Sequence, residues 1–439
     1  MADNTSLSFE PYWWETEETV SVRKKVLPNV VDVLVVGAGY TGLSAGIVAS
    51  DLGAKTVVVD AGEVGKGAST RNGGMFGAHP RVAWKQLSLN FGNETANQIF
   101  EEASESLTFV QDLIKTEQIS CDLMESGRLQ LAWSPGDHEK QKNLAAVINE
   151  KTNMNVKIIP RNELVHEIRT ERYFGGLLFE DHCGINPLKF HNGLVTALKQ
   201  RAVPIVEHMP VLSVERKGDS FRVNLRNRVV IAKKVIMATN GYTTHDFSWL
   251  KKRVVPIPSF IITTENIPSE LIKELSPRGR MMVETRAKYN YFRTSPDGKR
   301  IIFGGRAAIK PIPLDLAARR LKASLDDIWP DLEQFQISNV WTGNTGFSFN
   351  QIPHVGKHKG IHHAIGYSGS GTVLAAYLGA KVAYQALDDT RGMTGYSKTS
   401  LRKSAIHMFE KPYFLLLADF WYQNVIDRLQ SPKNKKILS

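Results

Sequence analysis

The segment VDVLVVGAGYTGLSAG, residues 31–46, restricts this chain more than any other. Val31–Val36 is an unbroken run rich in β-branched residues, the pattern of a strand covered on both faces. Gly37-Ala38-Gly39-Tyr40-Thr41-Gly42 follows as G-x-G-x-x-G. Thr41–Leu52 then has helical spacing and stops at Gly53. Lys55–Asp60 (KTVVVD) reads as a second buried strand. Strand, helix and strand make one β–α–β unit, whose strands must run parallel.

A glycine triplet in that setting predicts a dinucleotide site. Gly37 permits the tight turn, Gly39 lets backbone approach a pyrophosphate, and Gly42 lets helix and strand pack closely. The helix start, at Tyr40 and Thr41, offers unpaired N–H groups and the positive end of the helix dipole to phosphates. Asp60 ends the second strand and is followed by Ala61. Its carboxylate can accept hydrogen bonds from ribose hydroxyls and would repel a 2′-phosphate.

The next loop separates flavin from nicotinamide. Gly65–Gly77 (GKGASTRNGGMFG) is rich in Gly, Ser, Arg and Asn, where a nicotinamide enzyme would pass straight into a helix. Small residues here let backbone run along an isoalloxazine edge and a ribityl chain. FAD is therefore the expected cofactor, with Gly67, Ala68, Ser69, Arg71, Asn72, Gly73 and Gly74 against it. Ser69 and Arg71 are expected near the pyrophosphate.

A chain of 439 residues is too long for one compact core, so two domains or an interleaved pair are expected. Residues 84–118 read as one or two surface helices, His138–Thr152 and Pro187–Arg201 as further helices, and Leu314–Ile328 as another. Short strands fall between 204 and 231, and Lys234–Ala238 is a third buried strand, ending at Thr239-Asn240-Gly241. Lys252–Thr264 and Tyr289–Gly304 read as longer strands, the latter a hairpin turning at Ser295-Pro296-Asp297-Gly298. His363–Tyr367 is a strand, Gly369–Gly371 a break and Thr372–Ala386 a helix; 399–430 reads as mostly helical. Nucleotide-binding pieces thus lie at the beginning, in the middle and near the end, which predicts interleaved domains.

The remaining composition excludes more than it identifies. The net charge of +11 comes from basic residues spread along the chain, so nucleic acid is not an expected partner. Cys121 and Cys183 stand outside any CxxC pattern, as in a reducing compartment. The acidic N-terminus lacks the apolar core of a signal peptide, and no apolar run is long enough to span a membrane. A cytoplasmic enzyme without membrane contact is expected. His354, His358, His362 and His363 crowd together without a Cys or carboxylate, so no metal site is expected. No GxSxG, HExxH or CxxC argues for other chemistry.

With VVVDAGEVGKGASTRNGGM, PYWWET, KVIMATNGYT (234–243), YFRTSPDGKRIIFGGR (291–306), Ile352-Pro353-His354-Val355-Gly356 and GYSGSGTV (366–373), the chain resembles the D-amino-acid-oxidase-like FAD superfamily. Within it the likeness is to the gamma-glutamylputrescine oxidoreductase branch and spans residues 10 to 430. The resemblance implies an α/β fold. An FAD-binding, Rossmann-like domain of glutathione-reductase type (31–90, 155–250 and 340–390) would interleave with an α+β substrate domain built on an antiparallel sheet (91–154 and 251–339). Residues 1–30 would form an extension and 391–439 a helical tail. It places Val211 at the adenine and Thr239, Asn240 and Gly241 at the cofactor. It sets Gly369, Ser370, Gly371 and Thr372 at the flavin N1–C2=O edge, where a helix start would stabilise the reduced state.

The implied activity is oxidation of the C–N bond of a small amine or amino acid by hydride transfer to flavin N5, giving an imine that hydrolyses, with oxygen as acceptor. A dehydrogenase of the same fold, passing electrons to a quinone or carrier protein, is the alternative; a non-catalytic interaction protein is a third class. Arg293 would hold a substrate carboxylate, with Tyr291 on the same side of the strand as an aromatic wall. His354 would border the flavin. FAD is expected to be non-covalent.

Overall fold

The computed structural model describes residues 7–22 and 27–403. Two eight-stranded sheets organise them. In the first, the strand Val30–Val36 is central. It pairs in parallel with Thr56–Val59 on one side and with Val229–Met237 on the other. Ile205–Val206 extends the sheet beyond Thr56–Val59, and Ile361–Ile365 beyond Val229–Met237, both in parallel. The antiparallel His354–His358 closes one edge, and the hairpin Val211–Lys217/Ser220–Leu225 adds to Val229–Met237. Four-residue burial of TVVV explains why this strand shows no polar alternation: Val58 packs under helices on one face, and Val57 and Val59 pack against Val211, Phe221 and Val223 of the hairpin on the other.

Helices Tyr40–Asp51, Pro187–Gln200 and Gly371–Ala386 pack on this sheet. Thr41 Oγ1 lies 2.7 Å from Tyr367 Oη, and Ser44 donates to the carbonyl of Ala376 at 2.7 Å, locking Tyr40–Asp51 to Gly371–Ala386 and the turn before it. The chain's beginning and its late glycine-rich segment thus converge.

The second sheet runs, in order, Ile337–Ser348, Val254–Thr264, Ile301–Gly305, Asn290–Thr294, Met281–Glu284, Arg128–Leu131, Gly175–Phe179 and Val156–Pro160. All its neighbours are antiparallel except Met281–Glu284 with Arg128–Leu131. Its outer face is sealed by the helix Leu314–Ile328, whose Ala317, Leu321, Leu325 and Ile328 fall on one stripe and are buried. Val156–Pro160 and Gly175–Phe179 belong to this sheet by pairing, although 155–250 was expected in the nucleotide domain, and so does Ile337–Ser348. These strands cross the expected boundary because their hydrogen-bond partners, Arg128–Leu131 and Val254–Thr264, are supplied by distant segments.

The expected tail helix (399–430) lies outside the described residues. From 390 to 397 the chain makes two short 3-10 turns, Thr390–Gly392 and Gly395–Ser397. Among the described residues no helix is long and apolar enough to cross a membrane.

Candidate active site

The glycine turn is shaped by backbone contact. Gly37 has φ +106°, which only glycine adopts without strain, and its N–H bonds the carbonyl of Val59 at 2.8 Å. A Cβ on Gly42 would stand 1.8 Å from the Gly37 carbonyl oxygen, so the first turn of the helix closes only without a side chain there. Asp60 anchors the same turn: Ala38 N–H donates to Oδ2 at 2.7 Å and Gly62 N–H to Oδ1 at 3.0 Å. Burial pushes its carboxyl above the ordinary value, against the pull of those N–H groups.

Over this turn lies a cavity of about 490 Å³. Gly37, Gly39, Tyr40 and Thr41 line its floor, and Asp60 and Ala61 one side. Gly67, Ala68, Ser69 and Asn72 supply the loop wall. Ser69 Oγ also accepts from the Tyr40 N–H at 3.1 Å, tying loop to helix. Val211, Thr239 and Asn240 also line it, as do Gly369, Gly371 and Thr372 at the start of the helix Gly371–Ala386.

Three expected cofactor residues act beside the cavity instead. Gly42 and Gly241 sit in close backbone packing, and the Gly74 carbonyl accepts from Arg293. His191 was not foreseen. It is buried, lines the cavity, and places Nε2 2.8 Å from the Ala38 carbonyl, which makes Nε2 the donor and leaves Nδ1 an acceptor without a partner. Burial holds its pKa down to about 4. A glycine floor at a helix start, an acid at the strand end and an unpartnered buried acceptor fit FAD.

A second cavity of about 520 Å³ adjoins the first and shares Ala68, Asn72, Thr345, Gly369 and Thr372 with it. The antiparallel sheet forms its floor, and Gly73 and Ser370 also line it. Tyr291 lines it: its hydroxyl lies 3.0 Å from Ser259 Oγ, and its ring lies against Gly73 and Gly304.

Arg293 does not meet its expected role. It is 3% exposed and lines neither cavity. Its guanidinium donates to the carbonyls of Gly74 at 2.7 Å, Ile185 at 3.0 Å and Thr294 at 3.1 Å. The pleat does put it on the Tyr291 side, but two residues further along, under the 72–77 loop, where backbone carbonyls consume its donors. His354 is also corrected. It is buried between Asn350 Oδ1 (3.0 Å) and Thr399 Oγ1 (3.1 Å), away from both cavities. Arg71 lines the second cavity rather than the first. It donates to the carbonyls of Lys66 at 2.9 Å and Thr342 at 3.2 Å and sits over the Trp14 ring, so it braces the loop instead of serving a pyrophosphate.

The N-terminal aromatic box has a positioning task. Trp13 Nε1 donates to the Asn72 carbonyl at 2.8 Å and Trp341 Nε1 to the Arg71 carbonyl at 2.9 Å, fixing the loop between the cavities.

The sequence reading missed the arginines of the second cavity. Arg81 and Arg306 flank Tyr289, with Cζ 5.9 and 5.3 Å from its ring centroid, and both also face the Phe347 ring. Burial alone would raise the Tyr289 phenol, but Arg306 and Arg81 outweigh it and hold the phenol below its ordinary value. A Cβ on Gly369 would stand 3.3 Å from Arg81 Nη1 and 3.6 Å from Tyr289 Oη, so this group lies at the junction of the two cavities. Arg81 stands outside any motif, and Arg306 merely ends the YFRTSPDGKRIIFGGR run, so only position marks them.

A parallel dinucleotide domain, joined through a shared cavity to an antiparallel sheet bearing charged residues, defines a two-domain flavoprotein oxidoreductase. Residues 32–385 match the DAO family, described as FAD dependent oxidoreductase, and the chain belongs to that family. It is therefore an FAD-dependent oxidoreductase. It is similar to the gamma-glutamylputrescine oxidoreductase of Escherichia coli, 29% identical over 362 residues, covering 80% of this chain and 82% of that one. The probable oxidoreductase OrdL of Rhizobium meliloti is also 29% identical, over 359 residues, covering 81% and 83%. Among solved structures, the glycine oxidase of Geobacillus kaustophilus superposes with a TM-score of 0.70 at 16% identity, covering 86% of this chain and 99% of that one. The L-proline dehydrogenase of P. horikoshii gives 0.68 at 17%, covering 84% and 96%. These superpositions agree in fold.

Proposed function

We infer that the enzyme oxidises the C–N bond of a small amine that carries a carboxylate. The observation that carries this reading is the pair Arg81 and Arg306 flanking Tyr289 where the two cavities meet at Gly369. Relatives named for gamma-glutamylputrescine and glycine support the amine part. FAD, when bound, supplies the two-electron acceptor.

This chain's residues bind and orient. The two guanidiniums offer planar donor forks that suit a carboxylate. The Tyr291 and Phe347 rings make an apolar wall that excludes water beside the amine. The substrate carbon loses hydrogen with its electron pair and the nitrogen loses a proton; water then splits the imine to a carbonyl compound and an amine or ammonia.

FAD binding is non-covalent in this reading. Cys121 and Cys183 are buried and line neither cavity, and His79 Nδ1 is engaged by Arg128 at 2.8 Å. Acid precipitation should leave all flavin in the supernatant. The acceptor is oxygen, and fast reoxidation of the reduced enzyme by air would support it; slow reoxidation in air with fast reoxidation by a quinone would give the dehydrogenase alternative.

The test of the whole reading is anaerobic mixing of the holoenzyme with amines and amino acids. Bleaching of the visible flavin band by carboxylate-bearing amines, and not by the same amines as esters, is expected. No bleaching by any of them would refute it.

A further inference from the structure

The second cavity holds more positive charge than one carboxylate needs. Five arginines line it (Arg71, Arg81, Arg128, Arg286 and Arg306) against one carboxylate, Glu284. Two of the five are spent within the protein. Arg71 donates to backbone carbonyls, and Arg286 donates to Glu284 Oε2 at 2.6 Å. Arg81 and Arg306 form the pair beside Tyr289.

Arg128 stands apart from that pair. It is 9% exposed and lines the cavity, yet among the described residues no carboxylate pairs with it. Its contacts are His79 Nδ1 at 2.8 Å and the Phe179 ring, whose centroid is 4.7 Å from Cζ; its Nε has no partner. His79 cannot balance the charge, because burial and Arg128 itself keep it neutral. Burial pulls Arg128 down only to about 9, so it remains a cation at neutral pH. A buried guanidinium left without an anion costs several kcal/mol, a cost that an incoming anion relieves.

The sheet separates the two positive regions. Arg128 pairs with Met281 on the neighbouring strand, and that strand pairs Val283 with Tyr291. Arg128 is thus two strands from Tyr289 and about four residues along. At ~4.8 Å per strand and ~3.3 Å per residue, their Cα atoms lie roughly 16 Å apart. A molecule with two acidic groups joined by several atoms can meet Arg128 and the Arg81–Arg306 pair at once, each acid on its own guanidinium.

The geometry points to an amine flanked by two acidic groups as the substrate: one held by Arg81 and Arg306, the other by Arg128, with the oxidised C–N bond in the chain between them. This deepens the reading of the same site and rests on it.

The probes are glycines whose nitrogen carries a carboxyalkyl arm of one to four methylenes, each paired with the N-alkyl glycine of equal length that lacks the second carboxylate. Wild-type holoenzyme should be reduced at lower concentration by the diacid of the best-fitting arm, by roughly ten- to a hundredfold in KM over its partner. Arg128→Gln should bring that ratio close to one. A second measurement does not depend on the variant folding: protection of the wild-type holoenzyme against heat by glutarate and adipate should exceed that by butyrate. If monoacids reduce the flavin as readily as diacids, the two-anion inference falls while the amine reading stands. If Arg128→Gln keeps the full ratio, Arg128 is not the second contact and the inference also falls. If no amine in either series reduces the flavin, the underlying reading falls.

Discussion

Arg293 donates to the carbonyl of Gly74 at 2.7 Å, and through that bond a strand of the antiparallel sheet holds the loop that separates the two cavities. With Ile185, Thr294 and Met124 Sδ, the last at 3.0 Å from Nη2, it occupies four of the five guanidinium N–H groups without any carboxylate contact.

Replacing Arg293 should therefore cost stability. Arg293→Gln leaves at least two buried carbonyls short of donors, which should destabilise the holoenzyme by roughly 2–4 kcal/mol. A lower Tm and a lower FAD content are expected, with KM of the fraction that keeps flavin shifted little. A large KM rise at unchanged Tm would return Arg293 to the substrate site.

Gly42→Ala should abolish retention of flavin. The added Cβ has to displace the Gly37 carbonyl, which lies 1.8 Å from its position, and with it the turn that Asp60 anchors. Purified variant should be colourless, and fluorescence titration should show FAD affinity lower by at least about tenfold.

Arg306→Gln should raise KM for carboxylate-bearing amines by roughly ten- to a hundredfold, the weight of a charge-assisted hydrogen bond. It should also move Tyr289. Arg306 heads the influences that keep this phenol low, so the variant's phenol should titrate at higher pH. Ultraviolet difference spectra against pH, compared with Tyr289→Phe, read that shift.

Glu102 predicts a pH dependence of stability. It is buried against Thr394 and the Gly395 N–H, and burial raises its pKa to about 7 from 4.5. Below the unfolded value the protonated carboxyl is accommodated in both states. As pH rises through the folded value the native state loses ground to an unfolded chain that has already released the proton. The loss is of the order of 3 kcal/mol. Denaturant midpoints should fall between about pH 5 and pH 8, and Glu102→Gln should flatten that part of the curve. An unchanged slope in the variant would assign the dependence elsewhere.

Legibility followed the range of the interactions. The helix Leu314–Ile328 was read to the residue, because its buried stripe repeats within its own sequence. Val229–Met237 was read as two strands, because Ala232-Lys233-Lys234 interrupts the apolar run while the backbone ladder to Val30–Val36 continues through it. The strands Val156–Pro160 and Gly175–Phe179 were missed altogether. They are short, and their partners lie elsewhere in the chain.

The amino-acid order alone determined the dinucleotide turn, the acid that follows it and the flavin-type loop. Each of these is a local steric or electrostatic demand written in consecutive residues, such as a glycine where a Cβ has no room. Tertiary structure decided which arginines face the cavity. Arg293 and Arg128 are both buried on strands of one sheet, and nothing in their own segments distinguishes them. One meets backbone carbonyls that take up its donors, the other meets a neutral imidazole and the cavity, and only the folded neighbourhood separates a structural cation from one available to a ligand.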